Sequence, residues 1–92
     1  MNETKPSTRV IAPVNFVVSR EVQGEIVVVD LNSGIYHTFN QVGSAIWREI
    51  MRGATAASIA RTIASTHLVS EQQAAVDIDS FLQELLRRKL VE

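Results

Sequence analysis

The sequence contains no cysteine, few aromatic residues and only a small net charge. Without cysteine the chain cannot form disulfides, bind a metal through thiolates or use a cysteine nucleophile. The formal charge of -1 provides no broad field that would attract nucleic acid or an anionic membrane. No stretch approaches the roughly 18 apolar residues that a transmembrane helix requires, and the polar start MNETKPSTR differs from a signal peptide. These absences favour a cytoplasmic protein without a membrane span.

The composition is typical of one small folded domain. The chain has 92 residues, of which 46% are hydrophobic and 21% charged. Such a chain can bury a hydrophobic core, and its composition differs from that of a disordered protein. Residues 1–13 contain both prolines, Pro6 and Pro13, and several small polar residues. We therefore expect residues 1–13 to form a flexible N-terminal tail and residues 14–92 to form the domain.

Three short segments have the composition of β-strands. Residues 14–22 are rich in β-branched side chains, residues 25–31 are apolar at successive positions, and residues 35–39 alternate in character. Turns at Gln23-Gly24 and around Gly34 connect them. The pattern predicts an antiparallel meander whose middle strand is covered on both faces and whose third strand has one free edge.

Three helices with apolar faces follow the strands. Asn40, Thr55 and Ser70 are each suited to an N-cap, and Gly53 to the end of the first helix. Gln73 stands three residues after Ser70, which predicts a capping box. Strands followed by helices indicate an α+β fold, a winged helix-turn-helix-like arrangement of a three-stranded antiparallel sheet followed by three helices.

The polar residues show no catalytic or metal-binding pattern. The two histidines, His37 and His67, lie in different predicted elements, and Asp77 and Asp79 point in different directions on one helix. The four glycines are dispersed and do not form a phosphate-binding loop. We therefore expect no enzymatic activity, no catalytic residue, no metal and no cofactor. Trp47 is expected in or near the core.

Two binding functions remain open. A winged-helix protein would insert its third helix into DNA, but this helix carries several acidic residues before its basic end, which repels phosphate. Peptide binding requires only features that the sequence predicts, because the free edge of the third strand can accept an extended peptide as a further strand. The broad apolar face of the third helix would then form the second wall, and Asp77 or Asp79 could select a basic residue on the peptide.

A longer pattern adds a family resemblance. It consists of GEIVVVDLNSGIYHTFN from residue 24, VGSAIW from residue 42, a Gly-Ala-Thr turn at residues 53–55, and DIDSFLQEL from residue 77 followed by Leu90-Val91. This succession resembles the PqqD-like family, the recognition elements of ribosomally made, post-translationally modified peptides (RiPPs). The resemblance covers about residues 14–91 and consists of hydrophobic and turn positions.

The resemblance implies a non-catalytic domain that binds the leader segment of a precursor peptide. In that family the leader adds as an antiparallel strand to the third strand and lies against the third helix. Carried over by position, the implied docking strand consists of Gly34, Ile35, Tyr36, His37, Thr38 and Phe39. The implied helix residues, on either flank, are Val76, Asp77, Asp79, Ser80, Leu82 and Gln83.

The resemblance also implies partners. A free-standing copy of this length is most similar to the small recognition proteins of lasso-peptide biosynthesis, which work with a separate leader peptidase and a cyclase. The alternative use of such a domain is as a peptide chaperone for a radical-SAM enzyme, as in pyrroloquinoline quinone biosynthesis. The open strand edge would also allow a homodimer.

Overall fold

A computed structural model describes residues 12–91 of the chain. Within these residues the elements are β1 (Val17–Val22), β2 (Glu25–Asp30), β3 (Tyr36–Thr38), α1 (Gln41–Met51), α2 (Ala56–His67) and α3 (Glu71–Arg87). The strands form one sheet in the order β1-β2-β3, and both pairs are antiparallel. The predicted α+β arrangement, a three-stranded antiparallel sheet followed by three helices, is confirmed.

A two-residue turn joins β1 to β2. Gln23 and Gly24 both have positive φ values, 53° and 84°, as a type I′ hairpin requires. The Arg48 guanidinium on α1 donates to the Gly24 carbonyl at 2.9 Å and forms an ion pair with Glu21. The hairpin is therefore held to the first helix as well as to its own sheet.

The turn between β2 and β3 is stabilised by Asp30. Its carboxylate accepts hydrogen bonds from the backbone N–H groups of Asn32 and Ser33, at 2.8 and 3.2 Å. Its carbonyl accepts from Gly34, which has a φ of +76° that side chains rarely allow. Ile35 belongs to this turn, so β3 is shorter than the predicted residues 35–39.

The helices cover one face of β2 completely and leave the other partly exposed. Ile26 and Val28 are buried, whereas Val27 and Val29 are only half-buried. The prediction that both faces of the middle strand are covered is therefore wrong. A run of consecutive valines has no period, so it does not show which face is buried.

The buried side chains form one core beneath the sheet. Its large members include Trp47, which is 1% exposed, so the expected core position of this residue is confirmed. The complete buried apolar set is Ile26, Val28, Phe39, Ile46, Trp47, Ile50, Ile59, Ala60, Ile63, Ala74, Ile78, Leu85, Leu90 and Val91.

The three predicted N-caps are confirmed. The side chains of Asn40, Thr55 and Ser70 each accept a hydrogen bond from the backbone N–H group three residues later. The predicted capping box is only half formed. The Gln73 side chain donates instead to Asp77, at 2.9 Å, on the next turn of α3.

The last turn of α3 ends in a Schellman motif. Lys89 has a φ of 61°, its N–H group donates to Leu86, and the N–H group of Leu90 donates to Leu85. This reversal directs Leu90 and Val91 into the core, where they are 0% and 4% exposed. The end of the described chain is thus part of the folded domain.

The N-terminal boundary differs in one detail from the expected tail. Pro13 forms an isolated antiparallel bridge with Val91, and the Val14 N–H group donates to the Leu90 carbonyl at 3.0 Å. Residues 12–14 therefore lie along the C-terminal segment. The rest of the predicted tail, residues 1–11, lies outside the described residues.

Ser44 joins β2, the end of β3 and α1 in the buried interior. Its hydroxyl accepts a hydrogen bond from the Ile26 N–H group at 2.8 Å and donates to the Phe39 carbonyl at 3.3 Å. Phe39 in turn donates its N–H group to the Ile26 carbonyl. The hydroxyl therefore bridges a donor and an acceptor that would bond directly in a regular antiparallel pair.

We predict that Ser44→Ala destabilises the protein by roughly 1–3 kcal/mol, because it leaves the buried Ile26 N–H group without an acceptor. Equilibrium urea unfolding would measure the change. Ser65→Ala, at an exposed position of α2, is the control and should alter stability by less than about 0.5 kcal/mol. Equal stability of the two variants would contradict the role assigned to the Ser44 hydroxyl.

Candidate functional site

A cleft of about 350 Å³ opens where the end of β3 and the start of α1 face α3. The residues that line it are Thr38, Phe39, Asn40, Val42, Gly43, Ile46, Asp77, Phe81, Glu84 and Arg88. They come from three elements that are distant in sequence. The cleft therefore exists only in the folded chain.

Two phenylalanine rings form the apolar floor of this cleft. The Phe81 ring on α3 packs edge-on against Phe39 with 5.1 Å between ring centroids, and Phe39 packs against Trp47 at 5.7 Å. Edge-to-face pairs at this distance are favourable beyond the area they bury. The floor is consequently fixed to the core.

Gly43 permits the close approach of α1 to this floor. A Cβ atom at this position would lie 3.0 Å from the Phe81 ring and 3.1 Å from the Phe39 Cβ atom. Both distances are shorter than ordinary contacts between carbon atoms. A larger residue at position 43 would therefore move the Phe81 ring.

The edge of β3 beside the cleft has outward-facing backbone groups. Phe39 donates to Ile26 and Ile35 accepts from Asp30, so alternate residues 35, 37 and 39 face β2. The N–H and C=O groups of Tyr36 and Thr38 then face away from β2. Within residues 12–91 no strand pairs with β3 on this side.

The α3 wall is formed by one row of side chains. Asp77, Phe81, Glu84 and Arg88 recur at intervals of four, three and four positions, which places them on one face of the helix. The Arg88 guanidinium approaches the His37 ring of β3, with 3.4 Å between Nη1 and Nδ1. This contact marks the point where the C-terminal part of α3 meets the sheet.

The predicted docking strand lies beside the cleft, and its residues differ in their exposure to solvent. Gly34, Ile35, Tyr36 and Thr38 are exposed, and Tyr36 reaches 69%. His37 is half-buried, whereas Phe39 is a core residue, 6% exposed, that also lines the cleft. The outward backbone groups of Tyr36 and Thr38 are thus free for pairing within the described residues, while the Phe39 side chain belongs to the floor.

Only one of the predicted α3 residues lines the cleft. Asp77 does so, while Val76, Ser80 and Gln83 are exposed outside its lining and Leu82 packs against the core. Asp79 is likewise exposed, and its carboxylate accepts from the Gln83 side chain at 3.0 Å. The Asp77 flank of α3 therefore faces the cleft, and the Asp79 flank does not.

Seven of the lining positions were not predicted as site residues: Asn40, Val42, Gly43, Ile46, Phe81, Glu84 and Arg88. The helical period counted forward from Asp77 leads directly to three of them, Phe81, Glu84 and Arg88. The α1 residues had no comparable signal, since their place depends on how α1 crosses the end of β3.

The site offers no set of metal ligands. Across residues 12–91, His, Asp and Glu side chains do not converge in a group of three or more that could hold a metal ion. Among the helices of the same region, none combines the length and apolar character that crossing a membrane requires.

Comparison with known proteins gives one family match and two similar solved structures. The family model described as "Coenzyme PQQ synthesis protein D (PqqD)" matches residues 25–91. A solved structure of TbiB1 in complex with the TbiA(beta) leader peptide is 28% identical, with a TM-score of 0.84 over 88% of this chain and 94% of that chain. A search of curated proteins found no match.

A second solved structure, a lasso peptide synthetase B1 complexed with the leader peptide, has the same fold. Its TM-score is 0.84 at 19% identity, over 91% of this chain and 99% of that chain. The family match extends from β2 to the end of the Schellman motif and so includes every element that lines the cleft. The chain belongs to the PqqD family.

Proposed function

We propose that this protein binds the leader segment of a ribosomally made precursor peptide and presents it to a modifying enzyme without catalysing a reaction itself. The observation that carries the proposal is the exposed edge of β3 beside an apolar cleft, in a chain of the PqqD family. TbiB1, which has the same fold over 88% of this chain, was solved in complex with a leader peptide, and this supports a leader peptide as the ligand.

The proposed contact is the addition of one strand. A peptide antiparallel to β3 would exchange hydrogen bonds with the outward N–H and C=O groups of Tyr36 and Thr38. Alternate side chains of the peptide would enter the cleft, over Phe39 and Phe81. The backbone bonds provide affinity for any extended segment, and the cleft provides selectivity.

The proposed role in the pathway is to raise the effective concentration of the precursor peptide at its modifying enzyme. A leader held on this domain beside a partner enzyme converts the meeting of enzyme and substrate into an intramolecular event. The resemblance to free-standing lasso-peptide proteins favours a leader peptidase as that enzyme, acting with a cyclase. A radical-SAM enzyme is the alternative partner.

The proposal is tested by titrating the purified protein with a labelled synthetic leader of the precursor encoded nearest to the gene. Fluorescence anisotropy should show saturable binding in the micromolar range or tighter. A gel shift with duplex DNA at low salt should show no complex, because Glu71, Asp77 and Asp79 on α3 are exposed and repel phosphate. Failure to bind the leader more tightly than the high micromolar range would contradict the proposal, and a DNA complex in its place would support the winged-helix alternative.

We predict that Thr38→Pro weakens leader binding about two- to ten-fold, since it removes one outward N–H donor from the edge of β3. Anisotropy titration would measure the affinity, and circular dichroism would confirm unchanged helix content. Ser19→Pro is the matched control. It removes a donor from the opposite edge of the sheet, because the Leu31-to-Phe16 bond places residues 17, 19 and 21 facing away from β2. Equal loss of affinity in the two variants would place the peptide elsewhere.

We predict that Gly43→Ala lowers leader affinity, because the new Cβ atom crowds the Phe81 ring in the wall of the cleft. The same Cβ atom also crowds the Phe39 Cβ atom. Such overpacking costs about 1–3 kcal/mol, and the higher helix propensity of alanine offsets up to about 1 kcal/mol of it. Affinity and urea unfolding would be measured together. Adding Phe81→Leu to this variant removes ring atoms and should recover part of the affinity. Unchanged affinity of Gly43→Ala would show that the leader does not enter beside Phe81.

A further inference from the structure

Three charged side chains line the cleft, and their local environments differ. Glu84 forms ion pairs with both Arg87 and Arg88, so this group of one carboxylate and two guanidiniums has a net charge of +1. The Asp77 carboxylate accepts only from the neutral Gln73 amide, and within the described chain no cationic side chain forms an ion pair with it. One end of the α3 wall is therefore negative and the other positive.

Two contacts fix how this charge gradient runs along the sheet. Arg88 lies beside His37, whereas Phe81, two turns earlier in α3, packs on Phe39. The helix therefore runs antiparallel to β3. Asp77, one further turn towards the start of α3, lies beyond the Phe39 end of the strand.

The direction of the bound peptide follows from the proposed function, on which this inference rests. A peptide that adds antiparallel to β3 runs in the same direction as α3. Its N-terminal part then passes Asp77, and its C-terminal part passes Arg88.

The distance between Asp77 and Arg88 sets the spacing of the complementary charges in the peptide. Asp77 and Arg88 are eleven positions apart on α3, which corresponds to about 16 Å at the rise of an α-helix. An extended strand covers this distance in about five residues. Because strand side chains alternate between faces, a separation of about four or six residues directs both side chains towards the cleft.

We propose that the cleft selects peptides by charge order: a Lys or Arg beside Asp77, followed four or six residues later by an Asp or Glu beside Arg88. Between them an apolar side chain lies over the rings of Phe39 and Phe81. Both pairs are partly exposed to water, so each contributes about a two- to five-fold change in affinity. Added salt reduces this selectivity more than it reduces backbone pairing.

Selection from a displayed library of random 12-residue peptides tests the charge order directly. Bound peptides are eluted with the synthetic leader, so that only peptides competing for its site are recovered. The wild-type protein should enrich peptides with a basic residue before an acidic one. The double variant Asp77→Lys, Arg88→Glu should enrich the reverse order.

The outcomes separate the two proposals. Enriched peptides without a charge order, or the same order from both proteins, would overturn the charge inference and leave the proposed function intact. If the wild-type protein does not bind the synthetic leader in a direct titration, the proposed function is overturned and the charge inference with it. If it binds the leader but enriches no peptide that the leader displaces, only the charge inference is overturned.

Single variants provide matched controls that preserve the fold. Asp77 and Asp79 are both exposed on α3 and both accept from a glutamine side chain, but only Asp77 lines the cleft. Asp77→Asn should therefore weaken an enriched peptide two- to five-fold, and Asp79→Asn should leave its affinity unchanged. The Asp77→Asn effect should vanish when the basic residue of the peptide is replaced by glutamine.

A cleft-lining residue can also be compared with a neighbour outside the cleft at the positive end of the α3 wall. Arg87 and Arg88 both pair with Glu84, but only Arg88 lines the cleft. Both substitutions remove one positive charge from the group, but only Arg88 can contact a peptide in the cleft. Arg88→Gln should therefore weaken binding of a peptide that carries the acidic residue more than Arg87→Gln does. Equal effects within either pair of variants would mean that only the overall charge of α3 matters, which would overturn the inference.

Discussion

The backbone of β3 has hydrogen-bonding groups on both sides, and β2 occupies only one of them. Residues 35, 37 and 39 direct their groups to β2, which leaves those of Tyr36 and Thr38 directed outwards. An unpaired strand edge ordinarily favours association with another strand. Here the edge is three residues long and lies beside a cleft, which restricts the strand that can add to it. The proposed function depends on this incomplete pairing.

The surrounding structure holds that edge in place. Ser44 bonds to both β2 and the end of β3 from within α1, and Gly43, its neighbour, allows the Phe81 ring to reach Phe39. These contacts fix one strand end, one helix start and one helix face against each other. A binding site that is already formed avoids much of the ordering cost of association. Phe39 and Gly43 thus belong both to the buried interior and to the lining of the cleft.

Much of the fold could be predicted from the sequence because its determinants are local. Asn40, Thr55 and Ser70 cap the predicted helices, and the predicted turns form at Gly24 and Gly34, each with a positive φ at its glycine. The free edge also followed from the order of strands, since a meander of three strands pairs only its middle member twice.

The cleft was less predictable because it depends on the rotation of α3. Asp77 and Asp79 are equivalent in the sequence, and only the packing of Phe81 on Phe39 brings the Asp77 flank to the sheet. The exposure of Val27 and Val29 likewise depends on which face of β2 the helices cover. These packing contacts are between residues far apart in the chain, and the local sequence pattern does not predict them.

The most direct test of the account is amide hydrogen exchange at β3, measured by NMR with and without the leader peptide. The N–H groups of Tyr36 and Thr38 should exchange rapidly in the unbound protein and become protected when the leader binds. The N–H group of His37, which already faces β2, should change little. Leader binding that leaves Tyr36 and Thr38 unprotected would show that the peptide does not add to this edge, and would contradict the central claim.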